Sequence, residues 1–357
     1  MKSYHALALF SGGLDSILAA KTIAAQGLSV LGLHFISPFF GKPRKIDHWR
    51  EIYGLDIIPV DVTDAYIAML DAGPAHGLGK VLNPCVDCKI LMLRHAKTML
   101  ADYGASFLIS GEVIGQRPMS QRRDALDIIS RDAGVRDILL RPLCAQKLAP
   151  TAPEISGLVD RERLHAMGGR GRKDQLALAA AFGITEIPTP AGGCLLTERE
   201  SARRYEPLFA HLPVRTAADF ALANIGRQYW AGPLWLAIGR NESDNKRLEA
   251  AAGPDDLIFT ARDFPGPVCL ARRHGGADWD AAAIADAAAY AASFHPKAVA
   301  AGGEVLMEIK GFAGSPLRVR PERQTPFGWR EPTWDEALAD KRQRFPICGA
   351  PQAKAQD

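Results

Sequence analysis

No apolar run in the 357 residues is long enough to cross a bilayer, which argues against a helical membrane span. The N-terminus passes straight into a strand-like stretch, without the basic, apolar and small-residue parts of a secretion signal, so a cytoplasmic protein is expected. Net charge is scarce, +3, too little to establish nucleic-acid binding by itself. Cysteine is sparse too. The six are Cys85, Cys88, Cys144, Cys194, Cys269 and Cys348. In a reducing compartment they suit buried thiols, metal ligands or nucleophiles better than disulfides. There is no internal repeat. What is abundant is ordinary, 47% hydrophobic and 23% charged residues, as in a globular chain of two or three domains.

The stretch from Tyr4 to Gln26 organises the rest. It reads as a strand, a tight loop Ser11-Gly12-Gly13-Leu14-Asp15-Ser16, and an apolar helix from Ile17. In that geometry backbone N–H groups and a helix N-terminus converge on an anion. Gly12 and Gly13 permit the sharp turn and a close ligand approach. Ser11 and Ser16 add hydroxyl donors, and the helix end adds about half a positive charge. No Lys precedes the terminal Ser, which excludes the Gly-x4-Gly-Lys-Ser/Thr nucleotide loop.

Further strands are expected at Ser29 to Phe35, Leu55 to Val60, Phe107 to Ser110 and Asp137 to Arg141. Helices are expected at Ile46 to Tyr53, Ala65 to Leu70, Cys85 to about Tyr103 and Lys173 to Phe182. The alternation predicts an α/β fold, a doubly wound parallel sheet with right-handed crossovers. Ligands of such sheets bind at the C-terminal strand ends, where the loops at Ser11, His34 and Gly111 gather.

Beyond Gly183 the pattern changes. Helices are expected at Glu198 to Phe209 and Thr216 to Ile225. Short strands follow at Leu234 to Ile238, Asp256 to Phe259 and Val268 to Ala271, then an Ala-rich helix, Asp280 to Phe294, and strands at Glu304 to Ile309 and Leu317 to Val319. The expected division is an α/β domain with the Ser11–Ser16 loop over 1–187, a linker with short helices carrying Cys194 over 188–230, a smaller α+β domain over 231–320, and an irregular tail over 321–357.

Cys85-Val86-Asp87-Cys88 opens a helix, whose dipole is expected to lower the thiol pKa from roughly 8.5. By itself Cys-x-x-Cys suits a redox pair, half a zinc site or two legs of an iron–sulfur cluster. Cys144 and Cys269 are expected to be buried thiols. Arg117, Arg122 and Arg123, Arg161 and Arg163, and Arg170, Arg172 and Lys173 form basic patches that either bind RNA phosphates or are solvated faces. Arg240 and Asn241 either bind phosphate or cap the following helix.

Ser-Gly-Gly-Leu-Asp-Ser resembles the pyrophosphate-binding loop of the ATP pyrophosphatase (PP-loop) superfamily, whose members cleave ATP between the α and β phosphates. Asn83-Pro84-Cys85-x-x-Cys88 followed by Gly192-Gly193-Cys194 resembles the tRNA 2-thiouridylases and 4-thiouridine synthases. Gly111-Glu112-x-x-Gly115-Gln116 with Ser120-Gln121, and Arg141-Pro142-Leu143, are similar to stretches of the 4-thiouridine synthases. With three cysteines in this pattern, the chain looks like the iron–sulfur-dependent tRNA thiolases.

The resemblance implies an ATP-dependent tRNA sulfurtransferase using ATP, Mg2+ and a 4Fe–4S cluster held by Cys85, Cys88 and Cys194. It implies Asp15, Cys88 and Cys194 as catalytic residues, Asp15 orienting Mg2+ or the substrate. Nucleotide contacts are implied from Ser11, Gly12, Gly13, Leu14, Asp15, Ser16, His34, Phe35, Gly111, Glu112 and Gln116. For His34 the alternative is a solvent-facing strand end, and for Glu112 a solvated carboxylate. The partners implied are tRNA, a sulfur donor and a second copy of the chain. The alternatives are a cluster-free persulfide on Cys88 and Cys194, or a PP-loop ligase or accessory RNA-binding protein with structural zinc.

From Leu234 to Lys310 a second resemblance appears. Ile238-Gly239-Arg240-Asn241-Glu242-Ser243-Asp244-Asn245, Asp256 to Phe259 and Asp263-Phe264-Pro265-Gly266-Pro267 look like the RNA-binding module of the NFACT ribosome-quality-control proteins. Pro267-Val268 stands where that family tends to have Ser-His, a departure that puts RNA contacts there in doubt.

Overall fold

The computed structural model describes residues 2–188, 193–275 and 277–344. The chain divides into two compact units between Thr197 and Glu198.

The first unit contains strands β1 (Ala6–Leu9), β2 (Val30–Ile36), β3 (Asp56–Asp61), β4 (Phe107–Ser110) and β5 (Leu139–Leu140). Its helices are α1 (Leu14–Ala24), α2 (Ile46–Tyr53), α3 (Thr63–Ala72), α4 (Cys85–Thr98), α5 (Arg123–Asp132), α6 (Ala152–Ile155) and α7 (Lys173–Ala181). The five strands form one sheet in the order β3-β2-β1-β4-β5, every pairing parallel. The fold class is therefore the expected one. Alternation along the central strands feeds two cores. Ala6, Ala8 and Phe10 face α1, α2 and α7, whereas Leu7, Leu9, Leu33 and Phe35 face α4 and α5. Chain order reverses between β1 and β4, the switch point at which parallel sheets open a crevice. Pro59 is tolerated because β3 is an edge strand with one side unpaired.

Helix α1 begins at Leu14, not at the expected Ile17, directly on Gly13 as its N-cap. Helix α5 occupies a stretch to which the sequence pattern assigns no element, yet Ala125, Leu126 and Ile129 form a buried stripe at helical spacing among charged neighbours.

The second unit holds α8 (Arg199–His211), α9 (Ala217–Ala223), β6 (Arg227–Ala231), β7 (Leu234–Ile238), α10 (Glu242–Ala251), β8 (Leu257–Ala261), β9 (Cys269–Arg272), α11 (Ala281–Ala292), α12 (Pro296–Ala301), β10 (Val305–Lys310), β11 (Leu317–Val319) and α13 (Trp334–Arg344). Its sheet runs β11-β10-β8-β9-β7-β6, antiparallel throughout. Small side chains on α11, Ala283, Ala287, Ala288 and Ala291, lie in one core with Phe259, Cys269 and Met307 of the sheet.

The linker expected over 188–230 is not a separate piece. Its Cys194 belongs to the first unit, and α8 and α9 belong to the second. Nor are the described residues 321–344 irregular throughout. Trp230 and Arg330 exchange backbone bonds, Trp329 Nε1 donates to Asp286 Oδ1 at 2.7 Å, and α13 follows. Thr333 and Glu336 cap one another at its start, a pattern that was present in the sequence. Cys348 lies outside the described residues. Among the described residues no helix is long and apolar enough to cross a membrane.

Candidate active site

The loop after β1 is knitted by its own hydroxyls. Ser16 Oγ donates to Gly13 O at 2.8 Å and accepts from Ser11 N at 3.2 Å, while Gly13 N donates to Ser11 Oγ at 3.3 Å. Gly12 has φ +75°, and a Cβ there would stand 2.3 Å from Trp49 Cζ2. Both the backbone and the overlying indole therefore demand glycine. Leu14 is buried in the core, so only its backbone faces the loop. Ser16 N already donates to Gly13 O at 3.1 Å, so in the first turn of α1 the N–H groups of Leu14 and Asp15 are the ones a helix start leaves for an anion.

Asp15 sits in the first turn of α1, half-buried, and its Oδ1 has no hydrogen-bond partner among the described residues. Burial pushes its carboxyl above the usual range. The side-chain amides of Gln116 and Gln175 and the guanidinium groups of Arg172 and Arg117 oppose that shift. The loop after β4 closes against the same turn: a Cβ on Gly111 would meet Asp15 O at 2.5 Å and Ser16 N at 2.7 Å. That contact accounts for Gly111, and it places Gln116 beside Asp15.

The side chains of Glu112, His34 and Phe35 make contacts within the protein. Glu112 is 1% exposed and its Oε2 accepts from Arg141 Nε at 2.9 Å. Burial raises its pKa, but Arg141, Lys89 and the Ser110 hydroxyl outweigh that and hold it below the usual range. The alternative of a solvated carboxylate does not hold, because Glu112 is one half of a buried ion pair. His34 is 2% exposed, in the interior of β2 rather than at a solvent-facing strand end. Its Nδ1 donates to Phe10 O at 2.9 Å and its Nε2 accepts from Lys42 N at 2.8 Å, a neutral tautomer consistent with the pKa lowered by burial. Phe35 points to the opposite face of the sheet, toward His95. His34 and Phe35 therefore cannot both touch one ligand through their side chains.

The cysteines meet through a separate set of backbone bonds. Cys85 and Cys88 occupy the first turn of α4, and Asn83 Nδ2 donates to Cys85 Sγ at 3.0 Å. The short helical turn Leu195–Thr197 docks onto this region: Leu82 N donates to Leu196 O at 3.1 Å and Leu195 N to Phe39 O at 2.8 Å. Cys194, whose carbonyl accepts from Thr197 Oγ1 at 2.7 Å, is thereby brought beside α4. Gly192 of the expected Gly-Gly-Cys motif lies outside the described residues.

The three thiols are close enough for charge on one to disfavour charge on another. Burial pushes Cys88 up to about 11, with the Tyr66 hydroxyl opposing and a charged Cys85 adding to the rise. Burial and then the Cys88 charge push Cys194 up to about 12. For Cys88 the expected lowering by the helix dipole is overruled, because desolvation is the larger effect. Tyr66, missed by sequence reasoning, is fully buried. It stands close enough to Cys88 to favour its thiolate, although its hydroxyl forms no well-aligned hydrogen bond there. Met119 of the loop after β4 touches Asn83, Sδ to Nδ2 at 3.7 Å, joining the thiol region to the loop that carries Gln116. Among the described residues, no three His, Cys, Asp or Glu side chains stand in a metal-holding arrangement. The donor set nevertheless suits a thiophilic cation in kind, since metal binding displaces protons that burial otherwise keeps on sulfur.

Cys144 is buried and donates to Glu112 O at 3.2 Å, and burial pushes it up to about 11. Cys269 is core. Both are the buried thiols expected.

The basic residues divide. Arg117 and Arg172 face Asp15. Arg122 pairs with Asp124 at 2.9 Å, Arg123 donates to Lys147 O at 2.6 Å, and Arg170 is exposed. Arg161 pairs with Glu154 and Arg163 donates to Ala25 O at 2.6 Å, both internal ties. In the second unit Asn241 Oδ1 accepts from Asp244 N at 2.9 Å as the cap of α10, and Arg240 Nε donates to Asp244 Oδ2 at 2.7 Å. The capping alternative is the one observed.

Residues 2–149 match the family model described as "Thiamine biosynthesis protein (ThiI)". The chain is 29% identical over 147 residues to a probable tRNA sulfurtransferase of Thermococcus kodakarensis, covering 38% of this chain and 36% of that one. It is 31% identical over 149 residues to a tRNA sulfurtransferase of Desulfurococcus amylolyticus, covering 40% and 30%. It thus spans about a third of the length of these curated relatives. Among solved structures, the U34-tRNA thiolase NcsA of Methanococcus maripaludis with its 4Fe–4S cluster overlaps at 15% identity and TM-score 0.30, over 54% of this chain and 61% of that one. The C-terminal part of a fibronectin/fibrinogen-binding protein of Streptococcus suis overlaps at 15% identity and TM-score 0.24, over 71% and 92%. Overlaps this loose say nothing about the chemistry of this chain. Residues 2–149 are thus similar to the ThiI family model and to these tRNA sulfurtransferases.

Proposed function

We propose that the chain is an ATP-dependent tRNA sulfurtransferase that replaces a uridine carbonyl oxygen with sulfur. The observation that carries this is the presence, in one folded unit, of the Ser11–Ser16 loop at the sheet's switch point and of Cys194 tied by backbone bonds near the start of the helix that opens with Cys85 and Cys88. Oxide is a poor leaving group. The uridine oxygen therefore attacks the α-phosphate of ATP, expelling pyrophosphate into the Ser11–Ser16 loop, whose N–H groups and helix end favour the anion. Sulfide then adds to the activated carbon and AMP departs with the oxygen, so ATP, sulfide and uridine give AMP, pyrophosphate and thiouridine.

Asp15 is the catalytic carboxylate in this reading, and Arg117 and Arg172 supply positive charge beside it. Glu112 and His34 act from behind, fixing the strand ends through Arg141, Phe10 and Lys42. Cys85, Cys88 and Cys194 would hold a 4Fe–4S cluster, which when bound supplies an iron site for sulfide. ATP, Mg2+, tRNA, a sulfur donor and a homodimer belong to this same proposal. So do RNA contacts by the exposed arginines and the likeness of the second unit to an RNA-binding module.

The test is anaerobic purification of the full chain, with iron counted and AMP release from ATP measured in the presence of tRNA. About four irons per chain are expected, lost on Cys85→Ser, Cys88→Ser or Cys194→Ser. Asp15→Asn should stop AMP release and keep the colour. Iron-free protein that still thiolates tRNA selects a Cys88–Cys194 persulfide, and stoichiometric zinc without AMP release sinks the sulfurtransferase reading.

A further inference from the structure

The first turn of α7 brings a buried amide to the phosphate loop. Gln175 is 1% exposed, while its neighbours Lys173 and Asp174 are exposed. Helix α7 packs along α1, with Ala179 in one core with Ile17 and Ala20. Among the described residues Gln175 Nε2 has no acceptor, and Asp15 Oδ1 has no donor. A buried amide with an unused N–H costs about 1–3 kcal/mol, so a position serving packing alone favours Leu or Met. Instead a donor and an acceptor, each unfilled, stand near one another at the starts of two packed helices.

We propose that Gln175 is a positioning residue of the phosphate site, its Nε2 donating to Asp15 Oδ1 and fixing the carboxylate at the start of α1. The proposal rests on the reading of Ser11–Ser16 as the ATP loop, and it completes that loop with a helix beyond residues 2–149. The other groups facing Asp15 are Gln116 and Arg117 from the loop after β4, and Arg172 just ahead of α7. Gln175 differs from these in being buried with its Nε2 unused among the described residues.

The test uses side-chain amide NMR spectra of the full-length protein, with AMP release measured in parallel. The Gln175 amide signal, assigned by its loss in Gln175→Met, should shift in Asp15→Asn, and its protons should exchange faster. Gln175→Met should lower kcat for AMP release about tenfold while KM for ATP stays within about threefold. If Gln175→Met does not fold, Gln175→Glu provides the assignment and the kinetic variant. A Gln175 signal indifferent to Asp15→Asn overturns the proposal, as does an activity loss that merely tracks a lower melting temperature. Wild-type protein that releases no AMP sinks the functional reading instead, and the spectrum still decides the pairing.

Discussion

The Glu112–Arg141 pair is the most consequential contact at the scale of single residues, because both side chains are almost wholly buried, 1% and 7% exposed. Breaking such a pair leaves an uncompensated charge and costs about 3–5 kcal/mol, so Glu112→Gln should lower the urea unfolding free energy at pH 7 by that amount. The sign of its pH dependence follows from the depressed carboxyl. Its folded value lies below the ordinary 4.5, so its stabilisation is present above 4.5 and is lost as pH falls through the folded value. The gap between wild type and Glu112→Gln should therefore narrow in acid. A gap of constant size from pH 7 down to the acid transition would show that Glu112 is not ionised in the fold. The thiols illustrate the opposite balance. Cys88 and Cys194 are driven toward the neutral form by desolvation, and only a cation or a close donor such as Tyr66 recovers nucleophilic sulfur.

Helix α2 covers the Ser11–Ser16 loop at the scale of elements. Its Trp49 packs edge-on against Phe10 and His34, with centroids 5.6 and 5.0 Å away, and its six-membered ring covers Gly12. Gly12→Ala combines a left-handed backbone strain of about 1–2 kcal/mol with a direct clash. Calorimetry with a non-hydrolysable ATP analogue should show binding weakened at least tenfold, with part of it recovered in Gly12→Ala/Trp49→Phe because the clashing Cζ2 atom is gone. Wild-type affinity in Gly12→Ala would remove this loop from the nucleotide site.

Two chemistries and two units mark the whole molecule. The division between Thr197 and Glu198 separates a parallel α/β unit from an antiparallel one, each with its own hydrophobic core. Scanning calorimetry should therefore resolve two transitions, and the ATP analogue should raise only one. At a hundredfold excess over Kd the stabilisation is about 2.7 kcal/mol. A single transition moved as a block by the analogue would show that the units melt together.

Local chemistry made much of this legible before any coordinates. Strand, Ser-Gly-Gly-Leu-Asp-Ser loop and helix follow from steric and periodic rules acting within a few residues, and so do the Cys85–Cys88 helix start and the alternation that yields a parallel sheet. Helix α5 escapes the sequence pattern because its buried stripe is short and set among charges, and α13 because Ala337 alone is buried among its described side chains.

The amino-acid sequence alone determined the strand–loop–helix around Ser11 to Ser16, the α/β class and the placing of Cys85 with Cys88 on one helical turn, since each depends on neighbours in the chain. Only the tertiary structure decided that Cys194 joins them, through Leu82–Leu196 and Phe39–Leu195 backbone bonds. It alone decided that Glu112 and His34 look inward, that Trp49 covers Gly12 and that Gln175 is buried at the start of α7. Burial and approach across distant segments set those roles, and neither is written in any local stretch of the chain.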